Sequence, residues 1–345
     1  REKRHWRKWG ACSMDEKQWR EILHRGIACA ASDIHVTAHQ RVQMRCDGLL
    51  AAVHEAVPTE AFVHMLCEAM LSPAQRAQLI HQGTVDFSWN YENRRFRGNV
   101  YLVQGTPAFC LRMLPPRIPA LDELYMPPAL SALMEARDGL VLITGATGSG
   151  KTTTLAAVLD AINHTRALHI ITLEDPVEYV FSPDHAFISQ REFGMDFHTF
   201  PAAVRSAMRE DPDIILIGEI RDRATMEAAL YAAMTGVLVF GTLHTRCAAQ
   251  TAMRIEGMFD ARERDSVRAQ FADVMQGIFA QRLLRCKDGG RTAAVEVLCA
   301  TTAVRNMIRQ GRYEQLSSVM MSGAAQGMQT AEMAEAVLRA KGRIA

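Results

Sequence analysis

The period of the apolar positions changes along this chain, and each change marks a boundary. Asp15 to Ala30 carries apolar residues at helical spacing. Short alternating segments follow at 33–37, 42–45, 85–89, 95–103 and 108–113, and a period of two predicts half-buried strands. Helical patterns at 59–71 and 73–81 lie between them. Residues 14–114 are therefore expected to form a small α+β domain with a mostly antiparallel sheet. Pro115, Pro116, Pro119, Pro127 and Pro128 then mark 115–128 as a stiff linker through which no helix is expected to run.

From residue 129 the apolar runs lengthen. Strand-like runs at 140–144, 168–173, 214–218 and 237–243 alternate with helical patterns at 151–163, 200–210 and 224–234. That alternation predicts an α/β domain over 129–345, a parallel sheet with helices on both faces. Beyond about residue 262 the apolar runs thin, and 263–283, 302–310, 313–321 and 330–341 read as helices.

Composition narrows the functional classes. The chain has 345 residues, enough for two domains, with 48% hydrophobic and 22% charged residues, a globular balance. A net charge of +1 gives no global field toward nucleic acid or an anionic membrane. Eight cysteines are scattered singly, with no Cys-x-x-Cys pair to signal a zinc ribbon or a dithiol site, which fits free thiols in a reducing cytosol. No apolar run approaches the length needed to cross a bilayer and no signal-peptide pattern is read, so membrane association is expected only through partners. Residues 1–13 interleave Arg1, Lys3, Arg4, Arg7 and Lys8 with Trp6 and Trp9. They are expected to be a disordered basic tail; the other reading is a basic-aromatic anchor.

The chemistry is concentrated in a few segments. Gly145, Ala146, Thr147, Gly148, Ser149, Gly150, Lys151 and Thr152 spell a complete phosphate-binding loop, between the strand-like run 139–144 and the helical run 152–162. Its glycines let backbone N–H groups close around phosphates at a helix N-terminus. Lys151 is expected to reach the β- and γ-phosphates, Thr152 to hold Mg²⁺ through its hydroxyl, and Thr153 to complete the ATP cradle.

Hydrolysis also needs Mg²⁺ ligands, a group that orients water, and cations for the developing charge. Asp213-Ile-Ile-Leu-Ile-Gly-Glu219 is an apolar strand ending in a carboxylate and resembles a Walker B strand. Glu219 is placed either to bind Mg²⁺ through water or to polarise the attacking water. Glu174, Asp175 and Glu178 end another strand, close enough to repel unless compensated. His244 sits at the tip of a fourth strand, placed to sense a γ-phosphate. Arg205, Arg209, Arg221 and Arg223 flank these segments, some of them as plain surface charges.

In this order, the phosphate loop, Glu174-Asp-Pro-Val-Glu178, Asp211-Pro-Asp-Ile-Ile-Leu-Ile-Gly-Glu219 and Gly241-Thr-Leu-His-Thr245 resemble the ATPase superfamily of type II and type IV secretion systems. Ala31-Ser-Asp-Ile-His35 resembles the family's N-terminal signature. Gln190-Arg-Glu192, the run 205–211, Ala303-Val-Arg-Asn-Met-Ile308 and Gly327-Met-Gln-Thr330 resemble its twitching-motility, or pilus-retraction, branch. The resemblance implies a homohexamer in which an N-terminal PAS-like domain joins a RecA-like ATPase domain. It implies ATP and Mg²⁺, a place at the cytoplasmic face of the inner membrane, and an inner-membrane pilus platform protein as partner, with neither nucleic acid nor membrane insertion. By the same resemblance Glu219 is the Walker B glutamate, Glu178 the acidic-box catalytic glutamate and His244 the histidine of the His box. Arg97 and Arg112 would be the phosphate-reaching arginines, and Glu174 would join Thr152 and Glu219 around Mg²⁺. The chain departs from the pattern at Val237, where the family places a second histidine, and at Arg246, where a small polar residue is usual. The zinc-binding tetracysteine of the extension motors is missing, which favours the retraction branch. A secretion or conjugation ATPase of the same superfamily is the alternative, and a nucleotide-dependent scaffold with negligible turnover the third reading.

Overall fold

The structure, a computed structural model, describes residues 14–46, 48–53 and 57–345. The basic tail read over 1–13 lies outside them. The described residues divide into two compact units, with the boundary after Arg117.

Among the described residues, the first unit is a six-stranded antiparallel sheet with three helices. The strands are β1 (Asp33–Thr37), β2 (Gln43–Cys46), β3 (Leu49–Ala52), β4 (Thr84–Tyr91), β5 (Arg94–Val103) and β6 (Thr106–Met113), in the spatial order β3-β2-β1-β6-β5-β4. Helix α1 (Glu16–Ala28) starts with a capping box between Asp15 and Gln18, which satisfies two otherwise orphaned N–H groups. Helices α2 (Glu60–Met70) and α3 (Pro73–Gln82) begin at Thr59 and Ser72, each accepting an N–H bond from the first turn. Trp19, Ile22 and Leu23 of α1 and Phe62, Val63 and Leu66 of α2 are buried with Ile34, Met44, Phe96 and Phe109 of the sheet. Gly98 of β5 leaves room for the Phe87 ring opposite it; a Cβ there would lie 2.1 Å from that ring. Strand β3 is exposed along its whole length, and the alternation of the sequence does not announce it.

The second unit holds a seven-stranded sheet: β7 (Gly139–Thr144), β8 (His169–Glu174), β9 (Phe187–Glu192), β10 (Ile214–Ile217), β11 (Leu238–Leu243), β12 (Met275–Arg285) and β13 (Arg291–Cys299). Its order is β13-β12-β7-β11-β10-β8-β9, parallel throughout except for β13, which pairs antiparallel with β12. The expected parallel core is present. Leu140 and Leu142 of β7 lie in one apolar cluster and Val141 and Ile143 in another, so both faces are covered. Helices α4 (Pro128–Leu133) and α5 (Lys151–Asn163) contribute to one face. Helices α6 (Phe200–Ala207), α7 (Arg223–Met234), α8 (Ala248–Glu256), α9 (Arg264–Val274), α10 (Thr302–Arg309) and α11 (Leu316–Ser322) contribute to the other. Helix α12 (Ala331–Ala340) closes the unit against β13.

One expectation is corrected, and two further features go beyond the sequence pattern. The helix read over 263–283 ends at Val274, and residues 275–285 are strand β12, paired with β13 in a hairpin. Ile278, Phe279 and Ala280 are buried in succession, and a strand covered on both faces loses the alternation that distinguishes it from a buried helix. Strand β9, at the sheet edge, lies outside the expected strand-like runs. The linker is less featureless than its prolines imply. Leu121–Leu124 form a short 3-10 turn, and Ile118, Leu121 and Met126 pack on the second unit's core, which draws the unit boundary to residue 117.

Candidate active site

The parallel register brings the candidate segments to the same end of the sheet. Thr144 is level with Leu243, and Ile217 is level with Gly241 and with Leu173. The loop 145–150, Glu219, His244 and the acidic segment after Glu174 therefore all leave the carboxyl ends of neighbouring strands, where open α/β sheets place ligands.

Gly145, Gly148 and Gly150 have φ of 146°, 75° and 89°, in the region glycine adopts without strain. Space adds its own demand for glycine at Gly145 and crowds Gly150. A Cβ on Gly145 would come within 2.3 Å of the Gln281 carbonyl oxygen, and one on Gly150 within 2.8 Å of the Gln281 side-chain nitrogen. Helix α5 starts at Lys151, so its first-turn N–H groups sit behind the loop. Lys151 is buried, and its Nζ donates to the carbonyls of Gly145 at 2.8 Å and Ala146 at 3.1 Å. Burial pushes its pKa down, partly offset by the charges of Glu219 and Glu178. The lysine is thus electrostatically coupled to both predicted acids. The hydroxyls of Ser149 and Thr144 are buried with no hydrogen-bond partner, so this loop keeps polar capacity in reserve.

Glu219 is held at both oxygens. Arg221 approaches with Nε 2.8 Å from Oε1 and donates from Nη2 to Oε2 at 2.8 Å, while His244 Nε2 lies 3.0 Å from Oε1. Burial raises the pKa of this carboxyl, but the hydrogen bonds and charge of Arg221, with His244 behind them, outweigh it and hold the group below the ordinary glutamate value. Val237, at the position of the family's second histidine, is a buried apolar residue.

In the acidic segment the carboxylates have separate environments. Glu174 is buried, and its Oε1 accepts from Thr172 at 2.7 Å and from the Gln190 amide at 3.3 Å. Glu178 is half-buried, after the cis Asp175–Pro176 peptide. Strand β9 holds this segment in place. Glu192 accepts from the Val177 N–H at 3.1 Å, and Gln190 accepts from the Phe181 N–H at 3.0 Å and donates to the Tyr179 carbonyl at 2.8 Å. The Gln190-Arg-Glu192 triplet thus has a physical task. Tyr179 in turn shares a 3.1 Å hydrogen bond with Thr153 of α5, joining the acidic segment to the phosphate loop's helix.

Arg97 and Arg112 belong to the first unit. They are direct cross-strand neighbours on β5 and β6, and Arg112 donates from Nε to Asp33 at 2.9 Å. Arg45, Asp33, Arg112 and Arg97 form one row across the sheet. Burial raises the Asp33 pKa, but hydrogen bonds from Ser32 and Arg112 and the charge of Arg112 hold it below its usual value.

Sequence reasoning missed Gln281, Tyr179 and the clamp formed by Arg221. Gln281 lies on β12, whose continuous burial has the pattern of a helix. Its backbone and side chain line the loop, with Nε2 donating to the Ser149 carbonyl at 2.7 Å and Oε1 accepting from the Thr154 hydroxyl at 2.9 Å. Arg221 carried a signal, since a cation two positions beyond a strand-end acid can turn back onto it.

A glycine-rich loop before a helix, a strand-end carboxylate and a strand-end histidine on a mostly parallel sheet define a RecA-like P-loop ATPase. The chain belongs to the type II/IV secretion system protein family, whose profile matches residues 13–342. It is 42% identical over 311 residues to the uncharacterized protein YggR of Escherichia coli K12, spanning 90% of this chain and 94% of that one. It is 39% identical over 325 residues to the type IV pilus retraction ATPase PilT of Pseudomonas aeruginosa, spanning 94% of both. It also superposes on a crystal structure of the pilus retraction motor PilT with bound ADP, with a TM-score of 0.88, 41% identity and 94% of each chain covered.

Proposed function

We propose that this chain is an ATP-hydrolysing motor that retracts type IV pili. The carrying observation is the convergence at neighbouring strand ends of Lys151, in its glycine loop, with Glu219 clamped by Arg221 and His244. The likeness to PilT over 94% of both chains supports retraction as the task.

The residues divide the work. Gly145 through Thr153 cradle the phosphates, with Lys151 as the cation on the β- and γ-phosphates. The donor set fits Mg²⁺: the Thr152 hydroxyl and the Glu219 and Glu174 carboxylates are hard oxygen ligands, and an ion held largely by phosphates and water needs few of them. When bound, Mg²⁺ neutralises charge developing on the phosphates. Glu219, ionised at neutral pH, orients and polarises the attacking water. Glu178 shares that task from the acidic segment, and His244 links the state of Glu219 to the strand-end loop. Arg97 and Arg112 are the further cations proposed for the phosphates. The working form is a homohexamer at the cytoplasmic face of the inner membrane, acting on the pilus platform protein. Among the described residues no helix is long and apolar enough to cross a membrane.

The test is a count of surface pili by electron microscopy in a strain lacking the gene. Many long, immobile pili are expected. Bald cells would indicate extension instead, and an unchanged count would favour a secretion or conjugation ATPase.

A further inference from the structure

Helix α1 ends beside strand β2, and two thiols meet there. Cys29 caps α1, its N–H donating to the Arg25 carbonyl. Cys46 is the last residue of β2, opposite Leu49 in the hairpin with β3. The Ser32 N–H donates to the Arg45 carbonyl at 2.8 Å, which fixes the chain after α1 alongside β2. In that setting Cys29 Sγ lies 2.8 Å from Cys46 Sγ. This is well inside ordinary sulfur–sulfur contact and about 0.8 Å longer than an S–S bond of about 2.05 Å. Cys29 is exposed and Cys46 partly so, an arrangement in which one thiol meets solvent and a second stands behind it. The other thiols of this unit with described environments differ. Cys67 is buried and pushed up to about 12, and burial also raises Cys110, so neither is disposed to form a thiolate.

We propose that Cys29 and Cys46 form an oxidative modification site that reacts with hydroperoxides and closes reversibly into an intrachain disulfide. The Cys29 thiolate attacks one peroxide oxygen, the O–O bond breaks, and the departing hydroxide takes a proton to leave as water. Cys29 is then a sulfenic acid. The Cys46 thiolate attacks the Cys29 sulfur, the S–O bond breaks, and a second hydroxide leaves as water. Two thiols and one hydrogen peroxide thus give one disulfide and two waters, with sulfur oxidised and peroxide reduced. A dithiol reductant reverses the closure. The bond ties the end of α1 to the hairpin that carries the exposed strand β3. In a reducing compartment such a pair suits transient oxidation rather than a permanent structural bridge.

The full-length reduced protein, treated with stoichiometric hydrogen peroxide, alkylated and digested without reductant, gives the test by peptide mass spectrometry. A Cys29–Cys46 linked peptide is expected as the main product, with two thiols lost per chain and both regained in dithiothreitol. In Cys46→Ser, the Cys29 sulfenic acid should persist and be trapped by dimedone, whereas the wild type gives no such adduct. Alkylated Cys29 and Cys46 beside oxidised thiols elsewhere would overturn the site. So would intermolecular disulfides as the main product, or a wild-type Cys29 that proceeds to sulfinic acid.

Discussion

Gln281 donates from Nε2 to the carbonyl of Ser149 at 2.7 Å, and so a residue of β12 fixes the phosphate loop from below. The same amide accepts from the Thr154 hydroxyl, so one buried side chain ties the loop to the first turn of α5. Gln281→Ala removes both bonds and opens space beside Gly150. A buried polar group left unsatisfied costs about 1–3 kcal/mol, so nucleotide affinity should fall roughly 10–100-fold. Titration with a fluorescent ADP analogue measures this, with far-UV circular dichroism as the check on folding. Wild-type affinity in a folded variant would show that the loop holds its shape without the clamp.

Lys151→Ala should remove nucleotide binding altogether. Its ammonium is buried, aimed at the loop's own carbonyls and felt by two acids, so nothing nearby replaces its charge. The same titration should give no saturable signal. Retained tight ATP binding would overturn the assignment of residues 145–153 as the cradle.

The glycine loop and the strands β10 and β11 were legible because each is local. Glycine spacing, an apolar run and a strand-end polar residue lie contiguous in the chain. What was illegible is what depends on tertiary pairing. Gln281 lies 132 positions from Ser149, on a strand whose continuous burial mimics a helix. Gln190 and Glu192 were recognised as a pattern, but their work on the 175–181 segment follows only from the pairing of β9 with β8. Arg305, within the 303–308 run, similarly acquires its role only in the fold, where it donates to the Asp273 carbonyl at the end of α9.

Glu219→Gln should lower turnover by about 10²–10⁴-fold while nucleotide still binds, since the amide keeps the shape but cannot serve as a base. The acid limb of turnover in the wild type should lie below the ordinary glutamate value of 4.5, because Glu219 is held below it. The sign follows from that direction. The stabilisation from Arg221 and His244 is present above the unfolded value and is lost as pH falls through the lower folded one. Arg221→Ala removes the principal opposing cation, leaves burial to dominate, and should move the acid limb to higher pH. Rate–pH profiles of the wild type and Arg221→Ala decide this, and coincident acid limbs would show that Arg221 does not set the Glu219 charge.

Arg112→Ala separates catalysis from folding. Arg112 is largely exposed, and its ion pair with Asp33 is accordingly screened by solvent, so thermal stability should drop only modestly. Asp33 keeps its Ser32 partner but loses the guanidinium, and its pKa should rise toward the ordinary aspartate value. Because the folded pKa of Asp33 is depressed, its contribution to stability holds above the unfolded value and fades as pH falls through the folded one. The variant should therefore lose a little stability at neutral pH and show a weaker fall of stability in acid. Turnover should fall far more, roughly 10³-fold or beyond, if this arginine reaches the phosphates. Steady-state ATPase beside thermal melts of purified assemblies measures both, and normal hydrolysis by Arg112→Ala would remove it from the catalytic set.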